Sequence, residues 1–369
     1  MILHRNATKA VTIKAMMPPA LLRAGLTVAV LMAGKKIVAL ALIAAGINLT
    51  RIAVSVFLAL RVHGAINLSW SIVDKSRIIK LFKYASFSFI AQITDMLRLN
   101  VAPLIIGGFM GAVFVTPYHA ALKLRQEIMK LCAAILSMMM PVFSQQEGKG
   151  EHNSIKWSYY FVYKISCYIG TFMLAMLAIF AHDFIYRWQK QNPDFIQTWT
   201  APGNNNVITL IYLGVMTAFF AAIQSPTVNL LYGTSRNKFY AIVNGIQAAG
   251  TVALSIVLIR PMGLAGVLVG QLVFSFLVKF FLLPLGACRA LEISLLDYHL
   301  KHTLPNVLKP AVFMALVAVA AQQVLEPNYV NLFLSGLVAT GLFAPYIFFV
   351  GFTKAERGKF LQAAKLVKE

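Results

Sequence analysis

The stretch "NVITLIYLGVMTAFFAAI", residues 206–223, contains no charged side chain, and the apolar character carries on through "VNLLYG" to residue 233. A helix needs roughly 20 such residues to cross a hydrocarbon core of about 30 Å. Comparable runs recur along the chain and predict helices at about 9–33, 37–60, 81–107, 117–145, 158–180, 207–232, 239–260, 263–287, 309–325 and 331–351. The first is interrupted by Lys14, Pro18, Pro19 and Arg23. Inside a bilayer only helices and closed barrels satisfy every backbone polar group. A barrel would alternate apolar and polar residues in segments of about ten, and no such alternation appears. The predicted fold is therefore all-α: a polytopic membrane protein with about ten transmembrane helices.

Charge placement gives the orientation. The chain is 59% hydrophobic and only 12% charged, yet its net charge is +21. A basic surface can be the footprint of a nucleic-acid binder, but here the cations gather at the ends of apolar runs. That is the pattern of a protein held in an anionic membrane, so membrane lipids are expected partners and nucleic acid is not. One set of alternate loops carries Arg61, Lys75, Arg77, Lys80, Lys83, Lys149, Lys156, Arg236, Lys238, Arg289, Lys301 and Lys309, and the tail adds Lys354, Arg357, Lys359, Lys365 and Lys368. The opposite set has Lys35, Lys36, Arg187, Lys190 and Arg260. The richer side is predicted to be cytoplasmic, with the C-terminus on it.

Enzyme signals are poor. Cys132, Cys167 and Cys288 form no CxxC pair and are odd in number, which points away from a zinc site or a disulfide framework. There is no Walker A loop, HExxH or GxSxG. The loop "AHDFIYRWQKQNPDFIQTWTAPGNNN" has two separated aspartates and no paired carboxylates. No catalytic residue, metal ligand or cofactor is expected, and residues 1–25 lack the compact apolar core of a signal peptide.

The connector "SIVDKSRIIKLFKYASFSFIAQITDMLRLNVAPLIIGGFMG", followed by a long helix ending "MMMPVFSQQEGKGE", resembles the polysaccharide biosynthesis proteins. These are flippases of lipid-linked oligosaccharides such as O-antigen units, within the multidrug/oligosaccharidyl-lipid/polysaccharide exporter superfamily. The resemblance rests on the basic entry to a helix, the Asp95–Arg98 pair, "IIGGFMG" and the "MPVFSQ" exit. It implies a MATE-like architecture of two six-helix lobes. Aligned on the connector, residues 1–62 supply the last two helices of an N-terminal lobe and 63–80 a cytoplasmic connector. Residues 81–287 form a complete six-helix C-terminal lobe, and 288–369 an additional helix pair with a basic tail. The first lobe would then lack four helices upstream of Met1.

Within this frame the candidate site residues are polar groups in apolar surroundings, where an ionisable side chain is expected to face a cavity or another helix. The run Leu131–Phe143 is too short to cross alone, so the charged segment "YHAALKLRQEIMKL" must enter the membrane, with Thr116-Pro117 as helix start. At 100° per residue His119, Lys123, Gln126, Glu127 and Lys130 form one stripe, and Arg125 lies on the other side. The stripe reads either as a self-paired packing element or as a cationic cavity wall for an anionic head group. Arg51 sits roughly 13 Å from its helix end, with Asn48 and Ser55 on its face. Asp95 and Arg98 read as a structural ion pair or part of a site. Asn244, Gln247 and Thr251 could contact sugar hydroxyls or hydrogen-bond between helices. Pro226 would kink its helix and could serve as a hinge. Lys279, following Gln271 and Ser275 at helical spacing, is expected to snorkel toward the cytoplasmic surface.

The resemblance implies a flippase that moves a polyprenyl diphosphate sugar across the bacterial inner membrane by alternating access, working with other polysaccharide-assembly proteins. The alternatives are a cation-coupled multidrug exporter of the same superfamily, and a membrane glycan polymerase or glycosyltransferase.

Overall fold

The computed structural model describes residues 25–27, 30, 32, 37–62, 74–188, 203, 205–324 and 329–358. All its regular elements are helical, and no strand occurs among the described residues. The first predicted helix, 9–33, falls almost entirely outside them. The chain divides into two units, Met1–Ile78 and Ile79–Glu369. The first contributes α1 (Ile37–Val62), a single 26-residue helix.

Helix α2 (Lys75–Phe109) begins within the predicted connector, whose residues 75–80 form its opening turns. In the second unit follow α3 (Val115–Leu136), α4 (Met140–Gly148), α5 (His152–Trp188), α6 (Val207–Ile223) and α7 (Ser225–Gly233). Then come α8 (Asn237–Phe276), α9 (Leu283–Leu291), α10 (Leu295–Asp297), α11 (Leu304–Val324) and α12 (Tyr329–Tyr346). Wider π-turns join α8 to α9, join α10 to α11, and close α12. Among the described residues, seven helical stretches are long and apolar enough to cross a membrane: Leu81–Phe109, Ala112–Gly148, His152–Trp188, Val207–Gly233, Asn237–Leu291, Leu295–Ala320 and Phe333–Gly351. The protein is an all-α polytopic membrane protein. The charged segment of α3 lies inside the second of these stretches, as the short apolar run after it requires.

The fifth stretch is two crossings. Pro261 and Gly263 break α8, and Gly263 takes φ 54° and ψ −138°, a conformation closed to most side chains. Asn205 seals the break by accepting from the Leu264 N–H at 3.0 Å. The next residue, Asn206, caps α6 by accepting from the Ile208 N–H at 2.8 Å. Beyond the break the chain runs back on itself. A Cβ at Gly266 would stand 2.2 Å from the Leu258 carbonyl oxygen, one at Gly270 2.9 Å from the Ser255 nitrogen, and one at Gly250 2.0 Å from the Phe274 ring. Each pair is equidistant from the break, as in an antiparallel hairpin. Lipid offers no hydrophobic drive for helices to associate, so close approach through small residues does that work.

Around this hairpin, α6 packs against α3, α5 and α8. Helix α2 runs beside the first arm of α8 in the same direction. Asn237 donates to the Tyr84 carbonyl and Ser88 hydroxyl at 2.8 and 2.9 Å, and Asn244 to the Ala91 carbonyl at 3.3 Å. Helices α11 and α12 cover α5, where Phe172 stacks on Phe343 with ring centres 4.2 Å apart.

The segment after α12 is tied down by chemistry visible in "TKAE", residues 353–356. The Thr353 N–H and hydroxyl both donate to Glu356, at 2.7 and 2.9 Å, forming a capping box. The same carboxylate pairs with Lys164 of α5 at 2.8 Å, the two side chains being 12% and 15% exposed. Burial pushes the Glu356 carboxyl up, but Lys164 and Thr353 outweigh it and hold the group below its ordinary value. A depressed carboxylate contributes stability above its unfolded pKa of about 4.3, and that contribution fades as pH falls through the folded value. Thermal stability of the purified protein should therefore drop on acidification below pH ~4.5 by more in the wild type than in Glu356→Gln. At neutral pH Glu356→Gln should already be about 2 kcal/mol weaker. Equal acid slopes for the two proteins would remove this pair from the account.

Candidate functional site

Two arginines reach the middle of the bundle. Arg98 is eleven residues before Phe109, roughly 16 Å along α2, and Arg125 is thirteen residues after Ala112, roughly 20 Å along its span. A hydrocarbon core of about 30 Å puts both near its midplane, where a guanidinium needs partners. Arg98 Nη2 bonds Asp95 Oδ1 at 2.9 Å, and the second carboxylate oxygen accepts from the Tyr240 hydroxyl at 3.1 Å. Its Nε is buried without a partner. Arg125 donates to the Gly214 carbonyl at 3.4 Å, and no carboxylate among the described residues lies within ion-pair distance of it. Helix α6 comes this near because residue 214 is glycine: a Cβ there would meet Leu122 Cδ2 at 2.6 Å and Arg125 Cδ at 3.4 Å.

The two arginines line a cleft of about 30 Å³ with Tyr118, Gln247, Thr251 and Gln271. Gln271 donates to the Tyr118 hydroxyl at 3.1 Å. Gln247 Oε1 and Thr251 Oγ1 are buried with no hydrogen-bond partner, as is Asn244 Oδ1 one turn away. Buried polar atoms are ordinarily paired, so a concentration of unpaired ones beside two cations marks a place equipped for a polar or anionic ligand. In this conformation the cleft accommodates about one or two waters, and anything larger requires the helices around it to part.

Residues 2–187 match the family described as polysaccharide biosynthesis protein. The chain belongs to this family. The match covers α1 to α5, and so takes in Arg98, Arg125 and the lysines of α3. The family-matched part thus supplies the cations of the cleft. Helices α6 and α8, which bring Gly214, Gln247 and Gln271, lie beyond the match. No curated protein and no solved structure matches the chain significantly.

In this polysaccharide biosynthesis protein the α3 stripe divides. Lys123 and Lys130 both pair with Glu127, at 3.0 and 2.9 Å, and the three side chains are 59%, 68% and 47% exposed. They do not line the cleft, whereas His119 and Gln126 do. Arg125, angularly apart from the lysines as the helical spacing requires, is on the face that looks inward. The side chain of Arg51 lies outside the described residues.

Lys279 corrects its expectation. Instead of snorkelling it is 5% exposed, with Nζ 5.7 Å from the centre of the Tyr240 ring. Twelve residues, roughly 18 Å, separate it from Leu291, too far for its stem to reach the helix end. It continues the buried polar line of Gln271 and Ser275.

Pro226 stands in the first turn of α7, after a break at Gln224 (φ −94°, ψ 0°). The break is filled by a buried hydroxyl network. Tyr159 meets the Thr227 and Tyr298 hydroxyls at 2.7 and 3.0 Å, Thr227 donates to Gln224 Oε1 at 2.7 Å, and Tyr163 meets Thr303 at 3.0 Å. Gln224 Nε2 donates to the Tyr298 hydroxyl at 3.3 Å. The kink is braced from α5 and from the π-turn before α11.

Tyr118 and Gly214 are site residues that sequence reasoning missed. Tyr118, Leu122 and Arg125 share one face at i, i+4 and i+7, which was the available signal. Nothing local distinguishes Gly214 from the other glycines of the apolar helices.

Proposed function

We infer that this protein is a membrane transporter that flips lipid-linked oligosaccharide precursors across the bacterial inner membrane, with its C-terminus in the cytoplasm. The observation that carries the reading is Arg125: a guanidinium near mid-membrane without a carboxylate partner among the described residues, beside the unpaired oxygens of Gln247 and Thr251. A polyprenyl diphosphate head group offers what that site lacks, an anion for the cations and hydroxyls for the amide and threonine. Passage of the head group would need the cleft to open alternately to each side, the lipid tail staying in the bilayer. A cation-coupled exporter needs free intramembrane acids, but Asp95 is held by Arg98 and Tyr240, and Glu127 by Lys123 and Lys130.

Deleting the gene in its native host tests this reading against its rivals. A flippase predicts that surface glycan disappears while the lipid-linked precursor accumulates on the cytoplasmic face. Single repeat units reaching the outside unpolymerised would mean a polymerase. Unchanged glycan with raised drug susceptibility would mean a drug exporter.

A further inference from the structure

A second site lies on the outer surface of the bundle, at the end where α7 turns into α8 and α9 finishes. Arg236, Lys238 and Arg289 rim a groove of about 510 Å³ whose floor is Phe239, Ile242 and Gly286. None of the residues lining the groove is acidic, and none of the three cations has an ion-pair partner among the described residues. Two are aligned by aromatic rings: the Arg289 guanidinium is 5.9 Å from the Phe239 ring centre, and Lys238 Nζ is 5.7 Å from that of Phe87. Glycine keeps the floor low, since a Cβ at residue 286 would meet the Phe239 ring at 2.6 Å.

The vertical order of these groups is the informative part. Arg236 and Lys238 open the helix that enters the membrane at Asn237, and Arg289 closes the helix that leaves it at Leu291. The cations therefore sit at the head-group level. One turn deeper the surface is apolar, with Ile242 53% and Ile246 47% exposed. Charge at the rim and an apolar track below it complement a molecule with an anionic head and a hydrocarbon tail.

We propose that this groove binds an anionic phospholipid, its phosphate held by Arg236, Lys238 and Arg289 and one acyl chain lying along Ile242 and Ile246. The site is separate from the arginine cleft, and the proposal does not depend on what the protein transports. The test is lipid retention by the full-length protein, measured by native mass spectrometry after exchange into micelles doped with phosphatidylglycerol or phosphatidylcholine. Wild type should retain phosphatidylglycerol selectively. Arg236→Gln/Lys238→Gln/Arg289→Gln should weaken that retention by about five-fold per cation, on the order of a hundred-fold in all. Lys149→Gln/Lys301→Gln/Lys354→Gln, which removes three exposed cations elsewhere, should leave it unchanged. Equal loss in both triple variants would reduce the effect to bulk charge and overturn the proposal. Displacement by excess inorganic phosphate would reassign the groove to a free anion. Displacement by a polyprenyl diphosphate, but not by added phosphatidylglycerol, would reassign it to the transport path. Should the first triple variant be poorly folded, Lys238→Gln and Arg289→Gln singly must each show the five-fold loss.

Discussion

Arg125→Gln should lower the appearance of precursor-derived glycan at the cell surface by about ten- to a hundred-fold while leaving the protein at normal abundance. The expected loss equals one charge-assisted hydrogen-bonded contact to an anion, about 1.5–3 kcal/mol. Glutamine keeps the stem as far as Cδ, the part of residue 125 that packs closest to Gly214, so the packing of α3 on α6 is preserved. Removing a desolvated charge that has no carboxylate partner among the described residues should leave thermal stability equal or slightly raised. Arg125→Lys keeps the charge but not the planar fork, and should retain an intermediate rate. Wild-type export by the glutamine variant, at equal protein level, would show that the guanidinium is structural and would remove the main support for a head-group site.

The other large effect concerns the helical hairpin of α8. Gly266→Val places a branched side chain where even a Cβ comes within 2.2 Å of the Leu258 carbonyl oxygen, and backbone cannot move aside as a flexible side chain can. The two arms must separate, at a cost on the order of 3 kcal/mol. Monodisperse protein after solubilisation should be largely lost. Gly245→Ala is the matched control: it lies in the same helix with nothing within 4 Å of the added Cβ, and should be neutral or stabilising by about 0.5–1 kcal/mol. The idea fails if the valine variant melts with the wild type.

Much of the fold was legible because lipid leaves the chain few choices. Hydrocarbon runs of sufficient length must be helices, so the predicted spans 239–260 and 263–287 agree with the two arms of the hairpin within a few residues. Between them stands "RPMG", residues 260–263, whose proline and glycine disfavour a continuous helix. What could not be read was absolute orientation about a helix axis. On α3 the 100° spacing separates Arg125 from Lys123 and Lys130, but it does not say which face looks inward. That is decided by Gly214 on α6, 89 residues away in sequence. The lysines attract attention by number, yet Glu127 neutralises much of their charge at the surface. Lys279 was misread for a related reason. Its helix runs on to Leu291, four residues past the predicted end at 287, and the aromatic wall that receives it, Tyr240, belongs to the opposite arm of the hairpin.

The hydroxyl network around Gln224 bears on where motion can occur. It joins α5, the α6–α7 junction and the turn before α11 through bonds that are short, buried and mutually satisfied. Shearing these elements past one another would strand several hydroxyls at once in a medium without water. The arginine cleft is the inverse case: its amide and hydroxyl oxygens are already unmatched, so separating its walls sacrifices little and admits solvent or ligand that completes them. Mechanical compliance is thus distributed unevenly across the bundle, with a stiff spine at the proline break and a soft seam between α3 and α8.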